Sequence, residues 1–338
     1  MKALRGSILD RIRRGGRYLS VATATALAVV TPVFVAPSAS AATIDHIDKV
    51  SDRRVEMYVK SPAMGRIMHV DVLLAANQQA KHPTLYMLDG AGSSEKAPQS
   101  NWLTRTDAAS FFADKPVNVV FAVGGGGSMY TDWEKDDPNL GHQKWETFLT
   151  KELPPLVNDK FNGNGRAGVA GLSMGAEGAT ILAARHPSLY KALGAYSGCM
   201  IDSKLGQVQV RTIVSDKGGD PNNMWGQPFD PQWNAHDPSA HIDNLKNTAV
   251  FISTATGLMG PADVTLNRDP SLEYPETLIK SVGLEQIIAD CTGVVDGLMH
   301  LHGVDGTARV YPIGTHSWPY WEQPMHDSWP TLRKGLGI

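Results

Sequence analysis

Basic charge is not in surplus, cysteine is scarce, and no internal repeat or low-complexity tail interrupts the 338 residues. The shortage of positive charge sharpens beyond the start of the chain. The first 41 residues hold six of the 31 Lys and Arg and one of the 34 acids, Asp10, so the remainder carries a net charge near −8. That balance argues against a nucleic-acid partner, because nothing offsets the phosphates. Past residue 41 no apolar run approaches the ~20 residues of a spanning helix, so no transmembrane span is expected there. No HExxH pattern or Cys/His cluster occurs, so no metal is expected; His300 and His302 have ligand-like spacing but stand alone. The glycine run 124–127 lacks the Lys-Ser/Thr ending of a phosphate loop, and no motif implies a cofactor.

What is present begins with a leader. Lys2, Arg5, Arg11, Arg13, Arg14 and Arg17 precede an apolar run from Val21 to Val35, and Ala39-Ser40-Ala41 offers a small-residue cleavage site. This reads as a signal peptide over residues 1–41, with export to the cell envelope or the extracellular space. A retained anchor fits less well, since the run is short and contains Thr23, Thr25 and Thr31. In an oxidising compartment Cys199 and Cys291 are expected to pair. Residues 42–338 suffice for a single large α/β domain.

Periodicity then alternates strand and helix. Apolar β-patterned runs fall at Arg54–Val59, Ile67–Leu74, Thr84–Leu88, Val117–Val123, Gly168–Ala170, Leu193–Tyr196, Arg211–Val214, Ala249–Thr254 and Ala308–Tyr311. Helical spacing marks Trp145–Val157, Ala176–Arg185 and a long stretch across Leu272–Leu301. The order predicts a doubly wound, mostly parallel sheet with helices on both faces, the α/β-hydrolase architecture, with an antiparallel hairpin at one edge. The stretch 216–241, dense in Pro, Asn, Gly and Trp, is expected as an irregular insertion.

Gly171-Leu172-Ser173-Met174-Gly175 lies between a short strand and an Ala-rich helix, the context of a nucleophile elbow. Ser173 is the expected nucleophile. The backbone N–H of Met174 would supply half of an oxyanion hole, and that of Ala91, in the loop after Thr84–Leu88, the other half. A serine hydroxyl needs a base, and His316 just past the last strand is the candidate; His300, His302 and His326 read as surface or packing histidines. For the acid, the residues alone nominate Asp263 after Ala249–Thr254, with Glu285, Asp290, Asp296 and Asp305 also open.

Several segments together resemble one family. Leu88-Asp89-Gly90, Val123-Gly124-Gly125, Tyr130-Thr131-Asp132-Trp133, Lys144-Trp145-Glu146-Thr147-Phe148-Leu149-Thr150, Gly171-Leu172-Ser173-Met174 and Gly314-Thr315-His316-Ser317-Trp318-Pro319-Tyr320-Trp321 are similar, in order, to mycolyltransferases of the antigen 85 type. The likeness is strongest to the corynebacterial members. It implies transfer of a mycoloyl group, a long α-branched β-hydroxy fatty acyl, from an acyl-trehalose donor through an ester on Ser173 to a hydroxyl acceptor. It also implies that the acid is the helix-borne Glu285 rather than Asp263, and that Asp89 and Trp318 line the sugar site. The family's Asp-Gly-Leu-Arg is Asp89-Gly90-Ala91-Gly92 here, without the arginine. A cell-wall arabinan hydroxyl or a protein serine therefore stands beside a trehalose ester as acceptor. The triad is shared by a secreted carboxylesterase, and a non-catalytic cell-wall or matrix binding protein is the remaining alternative.

Overall fold

Burial sorts the strands by their place in one nine-stranded sheet. The computed structural model describes residues 41–198, 204–266 and 274–338. Strand β2 (Arg54–Ser61) buries Val55, Met57, Val59 and Ser61 and turns the residues between them outward, the period-two pattern of a sheet with one wet face. Strands β4 (His82–Leu88), β5 (Asn118–Ala122) and β8 (Ala249–Ala255) are buried at every position, as central parallel strands are. The remaining strands are β1 (Thr43–Lys49), β3 (Arg66–Leu73), β6 (Gly163–Leu172), β7 (Tyr190–Tyr196) and β9 (Gly306–Tyr311).

Their order is β1-β2-β3-β5-β4-β6-β7-β8-β9. Pairing is antiparallel from β1 to β5 through β3 and parallel from β5 to β9. The parallel strands all end at one rim, and ligands of open α/β sheets bind outside that rim.

Five helices matter for the site: α1 (Asn101–Arg105), α2 (Met174–Arg185), α3 (Lys204–Asp216), α4 (Tyr274–His302) and α5 (Glu322–Leu336). Each face of the sheet has its own apolar core. Met174, Ile181, Val214, Val295 and Met299 bring α2, α3 and α4 onto one. Trp102, Met325, Leu332 and Leu336 bring α1 and α5 onto the other. Each fully buried Leu or Met adds roughly 1.5–3 kcal/mol of hydrophobic stabilisation.

The sequence-based reading departs from this fold in three places. Arg211–Val214, expected as a strand, lies inside α3. Its β-branched run suggests a strand, but Val210, Ile213 and Val214 reach the core at helical spacing. The edge strand β1 was not anticipated, because Thr43–Lys49 is polar and mostly exposed. The helix expected over Trp145–Val157 contains a π-helical turn at Phe148–Glu152, immediately before Pro154 and Pro155, which bring no N–H to the next turn. In the 216–241 stretch two short helices form, Pro221–Trp225 and Pro231–Ala235. The proposed leader and Cys199 lie outside the described residues; Cys291 is buried on α4.

Candidate active site

Strand β6 delivers Ser173 to the rim through a turn that few sequences can make. Ser173 has φ +52°, in the left-handed region, a conformation that costs of order 1–3 kcal/mol for a non-glycine residue. Two neighbours must be glycine for it to form. A Cβ on Gly171 would lie 2.2 Å from the Gly175 carbonyl oxygen, and one on Gly175 would lie 2.5 Å from that of Asp89. The turn is pinned by the Ser173 N–H, which donates to Tyr196 O at 2.8 Å. Met174 then opens α2, so its N–H has no intrahelical acceptor.

His316 Nε2 lies 2.7 Å from Ser173 Oγ, and its Nδ1 lies 2.8 Å from Glu285 Oε2. The histidine comes from the loop after β9, where its N–H donates to Ser281 O on α4 and its ring meets the edge of Trp321. Glu285 is 1% exposed. Burial works against its charge, but the hydrogen bonds from His316, Ala255 N–H and Ser197 outweigh burial and hold the carboxyl below its ordinary value. The structure thus brings together Ser173, His316 and Glu285, whose segments are far apart in the chain.

Asp263, the acid nominated by position alone, does not touch the imidazole. It accepts from Thr315 Oγ1 at 2.7 Å, Tyr320 OH at 2.6 Å and Gly260 N–H at 2.8 Å, so it grips the residues on either side of His316. His300, His302 and His326 pair with Asp296, Asp243 and Asp107, away from Ser173.

A pocket of about 510 Å³ opens at Ser173. Leu172, Ile213, Leu284, Trp318 and Trp321 give it apolar wall; Asn101, Arg105, Gln209, Asp216 and Lys217 give it polar wall. Gly90 and Ala91 pass beside the serine, since a Cβ on Gly90 would lie 3.5 Å from Ser173 Cβ. Trp318 lines the pocket, braced edge-on by Trp102 and Trp321. Asp89 does not line it. The Asp89 side chain is 1% exposed and accepts from Ser100 Oγ at 3.1 Å and Asn101 N–H at 3.0 Å, at the start of α1. Burial pushes its carboxyl up to about 7 against the pull of those bonds. The carboxylate expected at a sugar therefore holds the helix that carries Asn101 and Arg105 into the pocket wall.

Sequence reasoning passed over Arg105, Gln209 and Lys217, which no motif marks. It also passed over Glu56, His69 and Asp71, grouped on β2 and β3 with metal-ligand spacing. Arg54 already supplies that cluster with a cation, at 2.9 Å from Asp71.

A family described as putative esterase matches residues 61–332. The chain belongs to the putative esterase family. Within it, this esterase-family chain is a homologue of the antigen 85 mycolyltransferases. It is 32% identical over 292 residues to the diacylglycerol acyltransferase/mycolyltransferase Ag85A of Mycobacterium leprae (strain TN), covering 83% of each protein. It is 30% identical to the enzyme of the same description, Ag85B, of Mycobacterium avium over 339 aligned positions, 97% of this chain and 96% of the relative. Among solved structures, MPT51 (FbpC1) of Mycobacterium tuberculosis superposes with a TM-score of 0.68 at 26% identity, over 82% of this chain and 97% of that one. These relatives make the chain an acyl-transferring enzyme with the α/β-hydrolase fold.

Proposed function

We propose that this antigen 85 homologue is a serine acyltransferase that moves a mycoloyl group from an acyl-trehalose donor to a hydroxyl acceptor. The observation that carries the reading is the continuous relay from Ser173 through His316 to Glu285, set in a pocket with one apolar and one polar wall. In the first half-reaction His316 Nε2 takes the Ser173 proton while Oγ bonds to the acyl carbonyl carbon. The oxyanion is held by the N–H groups of Ala91 and Met174. The trehalose oxygen leaves with the proton from His316, and Ser173 is left as an ester. In the second half an acceptor hydroxyl gives its proton to His316 and attacks the same carbon, restoring the serine. Glu285 fixes the imidazole tautomer and stabilises the imidazolium in both halves.

The acceptor is a trehalose ester, a cell-wall arabinan hydroxyl or a protein serine, met outside the membrane after export and cleavage near Ala41. Trp318 contributes to the wall against which the sugar lies; Asp89 acts on that wall from beneath, through α1. Residues 42–338 form the single catalytic domain. A Cys199–Cys291 bridge would tie α4 to the segment after β7; alkylation of the denatured, unreduced protein should modify neither cysteine, and two modified cysteines would remove the bridge.

The test is incubation of the processed protein with an acyl-trehalose donor and each acceptor, with products identified by mass spectrometry. Acyl transfer to an acceptor, lost in Ser173→Ala, is expected. Free fatty acid as the sole product would make the enzyme a carboxylesterase with the same triad.

A further inference from the structure

Three donors converge on one oxygen of Glu285, and two of them are hydroxyls that the triad chemistry does not use. Ser197 Oγ donates to Glu285 Oε1 at 2.7 Å, Thr254 Oγ1 at 2.8 Å and the Ala255 N–H at 2.7 Å. The other oxygen, Oε2, is left to His316. Ser197 and Thr254 are 4% and 2% exposed. Neither residue lines the pocket at Ser173.

Ser197 is held in a costly conformation to do this. It follows the last residue of β7 with φ +52°, where glycine would be free of strain. Its N–H donates to Ser253 O at 2.7 Å, which locks the turn to β8. Next to it a Cβ on Gly198 would meet Ala176 Cβ at 2.6 Å and the Ser173 carbonyl oxygen at 3.1 Å, so the turn is wedged against the start of α2. A glycine at 197 would satisfy the backbone but would bring no hydroxyl to Oε1.

We propose that Ser197, seconded by Thr254, is a positioning residue for the acid–imidazole pair. The reasoning rests on the triad reading and deepens it. A glutamate reaching in from a helix has three rotatable bonds to fix, and a carboxylate that swings lets the imidazole swing with it. Saturating Oε1 with donors from the ends of β7 and β8 leaves one direction for Oε2, toward Nδ1. The end of β8, where position alone nominates the acid, instead supplies anchors for an acid carried by α4.

Removing the Ser197 hydroxyl also takes one of three donors from Oε1 and leaves more of the carboxylate's negative charge facing Nδ1 of His316. Among the described residues, His316 is the one titratable group bonded to Glu285, and Asp263 stands behind Thr315.

The test compares Ser197→Gly with Ser197→Ala in the full chain, using hydrolysis of a p-nitrophenyl ester across pH, with melting temperatures alongside. Both variants lose the hydroxyl, but glycine relieves the backbone and alanine does not. Both should lose about tenfold in kcat with KM little changed, and the acid limb of kcat/KM should move to higher pH by the same amount in each. The melting temperature should be higher for Ser197→Gly than for Ser197→Ala. Wild-type kcat and pH limb in Ser197→Gly would overturn the proposal, as would a loss that follows the melting temperature across the pair. Ser173→Ala separates the two levels: if it is dead while the Ser197 variants are unshifted, only the positioning role fails. Turnover surviving in Ser173→Ala would remove the triad itself.

Discussion

Glu285 and Asp263 are equally buried carboxylates, each 1% exposed, and they hold the same histidine loop from different elements. Glu285 reaches the imidazole itself from the middle of α4; Asp263 reaches Thr315 and Tyr320, the residues around it, from the short helix Pro261–Leu266 after β8. In the proposed relay one carboxylate faces the ring of His316 and the other braces the loop that carries it. Burial and proximity alone therefore do not name the acid of a triad. The atom that the carboxylate meets does.

The largest expected effect is at Glu285. Glu285→Gln keeps the shape but removes the charge facing Nδ1, and kcat should fall roughly a thousandfold to ten-thousandfold. Steady-state kinetics on an ester substrate reads this directly. Asp263→Asn should lose only about tenfold in kcat, together with a lower melting temperature, because it loosens a buried loop without touching the imidazole. Equal losses at the two positions, or a larger one at Asp263, would erase the distinction between them.

Asp89 gives the smallest and most specific effect. Its folded-state pKa, pushed up to about 7, lies above the ordinary carboxylate value, so the native state binds the extra proton between the two. Stability should fall as pH rises from about 4 to 7 and flatten above that. Asp89→Asn should remove this slope while keeping an acceptor for Asn101 N–H; thermal melts across that range would show it. A slope unchanged in the variant would mean that other groups set it.

How far the site could be read from sequence depended on how local each signal is. Ser173 sits in five contiguous residues whose glycines are demanded by the turn, and His316 sits in a long Trp-rich run past the last strand, so both stand out. Glu285 carries no local signature: a glutamate in a long helix reads as any other, and only the family resemblance singles it out. Ser197 was passed over for a related reason, since its meaning lies in a backbone angle and in a partner 88 residues away. Asp89 was assigned to the sugar by resemblance, yet its side chain turns to the first turn of α1, a choice set by Ser100 and Asn101. The sheet was legible where apolar runs are long and buried, and misread at Arg211–Val214, where β-branched residues pack as a helix.

The most direct measurement is mass spectrometry of the protein quenched with acid during turnover of an acyl-trehalose donor, followed by proteolysis. An acyl ester on the peptide that contains Ser173, accumulating when no acceptor is present and discharged when one is added, is the expected result. Turnover without that adduct, or an adduct on a different residue, would contradict the relay from Ser173 through His316 to Glu285 as the origin of the chemistry.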